Sequence, residues 1–84
     1  MTAEWTDDLM AGVMELAVAE SRIREIAHLA ERATTEVGHG KNLLSYGYAD
    51  KAELNEIQLA VQDIMLLADK LASRIAAVRM EAVQ

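Results

Sequence analysis

Nine apolar residues in the second half of the chain, Leu54, Ile57, Val61, Ile64, Ala68, Leu71, Ile75, Val78 and Ala82, recur at alternating spacings of three and four. Such a repeat keeps one stripe of a long helix facing a neighbour, so residues from about 50 to 82 are predicted to be helical. Placing Leu54 at heptad position a puts Ile57 at d, and Leu59, Leu66 and Met80 at f on the far side. A weaker seven-residue repeat runs through the first half at Leu9, Leu16, Ile23, Ala30 and Val37, with Ala19, Ile26 and Ala33 three residues after members of that row. It predicts a first helix over about 7–37, with Gly12 and several alanines along its seam.

Punctuation places the ends. Thr6 is a candidate N-cap for the first helix, and Gly38 a candidate left-handed stop. Asp50 with Glu53 resembles a capping box at the start of the second helix. The intervening residues 38–49 form the connector, in which Leu43, Leu44 and a tyrosine ring are expected to close the end of the bundle. Helices of matched length favour an antiparallel pairing. The reading is one all-α domain over residues 1–84, an antiparallel helical hairpin of two long helices.

Length then changes the picture, because two helices in an 84-residue chain cannot enclose a core on all sides. On the second helix, Leu59, Leu66, Leu67 and Met80 fall outside the a/d stripe and are candidates for an oligomer interface. Dimerisation into a four-helix bundle is therefore expected, with the second helix central and the more polar first helix outside. A trimer or higher ring is also compatible with the heptads.

Charge and composition narrow the function classes. The net charge is −6, and residues 1–40 hold eight acids against three bases, which disfavours direct phosphate-mediated nucleic-acid binding. Lys70, Arg74 and Arg79 near the C-terminus are expected to be solvated. The chain has no cysteine, so neither a disulfide framework nor a thiolate nucleophile is available. No run of residues is long and apolar enough for a membrane span, and acids stand where a signal peptide needs bases. These features lead to the expectation of a cytoplasmic protein with no membrane partner.

Three constellations could carry chemistry. Glu25 and His28 form a Glu-x-x-His pair of the ligand type found in a ferritin-like half-site, and pairing about a midpoint near Leu44 would bring Glu56 and Asp63 close. Both residues fall outside the predicted seam, however, and no second Glu-x-x-His follows. The Gly38-His39-Gly40-Lys41 string resembles a phosphate loop but lacks its full pattern and its position before a helix. Tyr46 and Tyr48, together with His39 and Lys41, form a candidate recognition tip for a partner or small ligand. No nucleophile elbow occurs, and the Glu/Asp pairs present are those of any acidic helical protein and point to no acid–base site. The expected function is that of a non-enzymatic oligomeric protein without a cofactor, acting through a protein partner as an adaptor, regulator or inhibitor. The acids Glu15, Glu20, Glu25 and Glu31 would steer a basic partner, with the tip providing contact area. A ligand-sequestering oligomer built on residues 38–49 and a ferritin-like metal binder are the alternatives.

Overall fold

A computed structural model of the chain describes residues 3–44 and 50–83, with side chains from Asp7 onward. Helix α1 spans Ala3–Leu43 and helix α2 spans Lys51–Ala82, and the two pack side by side as an antiparallel hairpin. The result is a rod whose Cα atoms extend over 68 × 14 × 13 Å.

The second helix begins where the sequence places it. Asp50 has extended backbone and its carboxylate accepts from the N–H groups of Ala52 at 3.0 Å and Glu53 at 3.2 Å, satisfying two donors that a helix leaves unpaired. The first helix is longer at both ends than its punctuation suggests. It starts at Ala3, so Thr6 lies inside it rather than capping it. It also passes through Gly38 and Gly40 without a left-handed residue. Gly38 is therefore not a stop; the seam continues past it through Lys41 and makes helix the favoured path. Leu43 is 81% exposed, so it does not close the bundle end.

The seam differs from the predicted a/d stripe on both helices. On α2 the residues turned toward α1 are Leu54, Gln58, Val61, Met65, Ala68, Ala72, Ile75, Arg79 and Ala82, which occupy positions a and e. The matching set on α1 is Leu9, Val13, Leu16, Glu20, Ile23, Ala27, Ala30, Thr34, Val37 and Lys41. The buried residues among those described are four alanines, Ala27, Ala30, Ala68 and Ala72. Small side chains at the centre let the backbones approach closely, and the larger residues above and below stay half-covered. Gly12 takes no part in the seam, because a Cβ placed there would meet nothing within 4 Å.

Side-chain bridges set the register: long side chains join residue 20 to 79, 34 to 58 and 41 to 55, pairs whose midpoints fall between about 46 and 50. The hairpin thus folds about a midpoint near residue 48 rather than Leu44, so His28 lies level with about Ala68.

Candidate functional site

Two polar clusters sit at either end of the alanine seam. At the end remote from the connector, Arg79 Nη2 donates to Glu20 Oε1 at 2.6 Å, and Arg24 Nε donates to Glu20 Oε2 at 3.1 Å. Both carboxylate oxygens are thereby engaged on a side chain only 13% exposed. The hydrogen bonds from Arg79 and then Arg24 hold the Glu20 carboxyl below its ordinary value of 4.5, outweighing the opposing effect of burial. Arg79 Nε is enclosed and has no hydrogen-bond partner among the described residues. The guanidinium is thus committed to the hairpin rather than solvated, contrary to the sequence expectation.

At the connector end, Lys41 Nζ donates to Asn55 Oδ1 at 2.8 Å and to Gln58 Oε1 at 3.4 Å. Gln58 Nε2 in turn donates to the Thr34 carbonyl at 3.2 Å. Gly38 makes this possible: a Cβ there would stand 2.9 Å from Gln58 Nε2. The glycine has a packing role inside the helix, for which its neighbours in sequence give no signal.

The candidate recognition tip is not assembled from the residues that can be compared. Lys41 is bridged across the seam, whereas His39 is exposed on the outside of α1 in a shallow depression with His28, Arg32 and Thr35. Tyr46 and Tyr48 lie outside the described residues. The ferritin-type set is likewise dispersed. Glu25, His28, Glu56 and Asp63 are all exposed, and the register sets His28 apart from Asp63 by roughly 8 Å and from Glu56 by roughly 18 Å along the axis. No group of three or more possible ligands that could hold a metal ion forms among the described residues. His28 Nδ1 instead lies 4.0 Å from Glu31 Oε2 on its own helix. Of the four glutamates expected to steer a basic partner, Glu15, Glu25 and Glu31 are exposed at different angles around α1, whereas Glu20 is drawn into the seam by Arg79.

What the geometry does assemble is an apolar face. With a and e in the seam, position d is turned about 80° to one side, and in an antiparallel pair the d rows of both helices emerge on the same side of the hairpin. On α2 that row is Ile57, Ile64, Leu71 and Val78, exposed by between 37% and 54%. On α1 it is Gly12, Ala19, Ile26, Ala33 and Gly40. A groove lined by Leu16, Leu71, Ile75 and Val78, with Arg74 at its edge, runs along this side. The opposite side carries the b row, in which Arg24, Glu31, Asn55, Gln62 and Asp69 stand among Met10, Ala17, Gly38, Ala76 and Val83, so it is mixed rather than continuously apolar. Periodicity places the d row in the hairpin seam, whereas packing through a and e leaves it exposed. The interface candidates Leu59, Leu66, Leu67 and Met80 are all more than half exposed, the first, second and fourth on a separate side of α2.

Fold and faces together define an all-α helical hairpin that carries a continuous apolar row along one side. No family model matches the chain, and no curated protein or solved structure is similar to it. Among the described residues, no helix is long and apolar enough to cross a membrane.

Proposed function

We propose that this chain is a non-enzymatic helical protein of the cytoplasm that works through protein–protein contacts, as an adaptor, regulator or inhibitor, and that its working form is a dimer built as a four-helix bundle. One observation carries the reading: among the described residues the buried core consists of four alanines, while Ile57, Ile64, Leu71 and Val78 lie in one uncovered row. Burying a large aliphatic side chain contributes roughly 1.5 to 3 kcal/mol, so covering this row would add several kcal/mol to a hairpin with little core of its own. A second hairpin supplies the missing layer. Leu59, Leu66 and Met80 lie on a different side of α2 and offer apolar area to a partner protein.

Native mass spectrometry of protein isolated from its own cells without denaturant or chelator tests this. A dimer, alone or carrying a protein partner, is the expected species. A bare monomer that keeps its full helicity at micromolar concentration would overturn the proposal.

A further inference from the structure

Resting on that dimer reading, we infer that the second copy covers the d face in one orientation: the α2 ridge of each hairpin lies in the α1 trough of the other, about a two-fold axis parallel to the helices. The register within one hairpin brings the two d rows into phase. To within about one residue, Gly40 lies level with Ile57, Ala33 with Ile64, Ile26 with Leu71 and Ala19 with Val78, each step being one heptad on both helices. At three of these four levels a large α2 residue stands beside a glycine or alanine of α1. The face is consequently raised along α2 and recessed along α1 over most of the paired length, Ile26 filling the trough beside Leu71.

A two-fold axis parallel to the helices turns such a face onto itself with α2 above the partner's α1. Every level then holds two large and two small residues, apart from the evenly sized Leu71 and Ile26 level, and neighbouring helices are antiparallel throughout, which opposes their dipoles favourably. An axis perpendicular to the helices would instead set ridge on ridge, leaving the glycines and alanines of the trough facing each other. The area is adequate. The 32 residues of α2 give about 48 Å of paired length, and with the 14 Å width this is a footprint of about 670 Å² per copy, or about 1,300 Å² for the pair, within the range of roughly 1,200–2,000 Å² for stable interfaces.

Charges at the rim do not favour this orientation. Arg22 comes level with the partner's Arg74, and Glu15 with the partner's Glu81, whereas the perpendicular axis would allow Arg22 to meet the partner's Glu36. All of these side chains are exposed, and exposed ion pairs count for little beside apolar burial. A consequence is that this dimer tightens as salt is raised.

Cross-linking decides between the orientations, and the absence of native cysteine makes it clean. Leu29 and Leu67 flank the d rows and are both more than half exposed. In the inferred orientation Leu29 lies beside the partner's Leu67; with the perpendicular axis each can lie beside its own copy. Leu29→Cys chains, labelled with nitrogen-15, are refolded together with unlabelled Leu67→Cys chains, treated with a short bismaleimide and weighed intact. Mixed species making up clearly more than half of the cross-linked dimer are expected. A statistical mixture or an excess of either like pair would overturn the orientation while leaving the dimer reading standing, whereas a monomeric wild-type protein would overturn both. Ile64→Lys is expected to lower the dimer fraction at least tenfold, and Leu66→Lys to leave it unchanged. The reverse pattern would move the interface to the other side of α2.

Discussion

Gly38→Ala in an α-helix would ordinarily stabilise by about 1 kcal/mol, because alanine loses less backbone entropy and protects more of the helix. Here the added Cβ would stand 2.9 Å from Gln58 Nε2, the atom that donates to the Thr34 carbonyl. Gln58 must swing aside, giving up its bond to the Thr34 carbonyl, worth about 1 kcal/mol net, and the long 3.4 Å bond its Oε1 accepts from Lys41 Nζ, whose ammonium keeps Asn55 at 2.8 Å. Its displaced amide regains water because the side chain is only half-buried. Gain and loss cancel, so Gly38→Ala alone should change stability by no more than about 0.5 kcal/mol. In a Gln58→Ala background there is nothing left to displace, and the same substitution should stabilise by the full amount of about 1 kcal/mol. The double-mutant cycle therefore has a coupling energy of about 1 kcal/mol. Urea unfolding of the four proteins, at one protein concentration so that association contributes equally, measures it. A thermal scan should show the same coupling as roughly 4–8 °C. Equal stabilisation in both backgrounds would mean that Gln58 is not held against Gly38, and the account of this end of the seam would be wrong.

The centre of the seam should resist enlargement: Ala72 has no exposed surface, so Ala72→Leu is expected to destabilise by roughly 1–3 kcal/mol in thermal unfolding. Removing the α2 cap by Asp50→Ala should cost about 1 kcal/mol, with Asp50→Asn near neutral in the same assay, since asparagine can also accept from the first-turn N–H groups. The Glu20 carboxyl is held below 4.5, so its contribution to stability is present above about that pH and is lost as pH falls through the lower folded value. Melting curves against pH should show wild type more stable than Glu20→Gln near neutrality, the gap closing in acid. A gap of the same size at about pH 3 and about pH 7 would remove the ion cluster from the account.

Two long antiparallel helices are legible in the heptads, and Asp50 as an N-cap is legible in its local chemistry. The face each row presents is not, and the reason is the neighbour count. An a/d stripe is read as a seam when one partner is assumed, but a helix that meets its hairpin mate through a and e still carries apolar residues at d. The e row of α2 disguises its role, since Gln58 and Arg79 read as surface residues and Ala72 as neutral filler. Each finds its partner, Thr34 or Glu20, only once the opposite helix is in place. The same holds for Gly38, whose turn-like appearance follows from its residue type and whose actual role depends on a side chain twenty positions away. His28 and Glu25 were separated from Glu56 and Asp63 by the register, which no local spacing encodes.

The polar clusters explain why a seam of alanines can hold one register. At the centre, a slip of seven residues would set Ala68 against Thr34 and Val37, or against Glu20 and Ile23, so size also opposes it. The ends discriminate strongly. A slip of seven residues would set Arg79 against Ala27 or Val13 and Glu20 against Ala72 or beyond the end of α2, leaving charges in the seam without their counterparts. Breaking a partly buried pair costs far more than an exposed pair contributes when made, because the charge left behind keeps its desolvation penalty. Gln58 and Lys41 impose the same condition at the other end through the Thr34 carbonyl and Asn55. Because the two helices are rigid, fixing the e rows also fixes the d rows on the other side, bringing Ile64 level with Ala33 and Val78 with Ala19. The polar contacts thus act on the apolar face without touching it: they set the phase on which its ridge and trough depend.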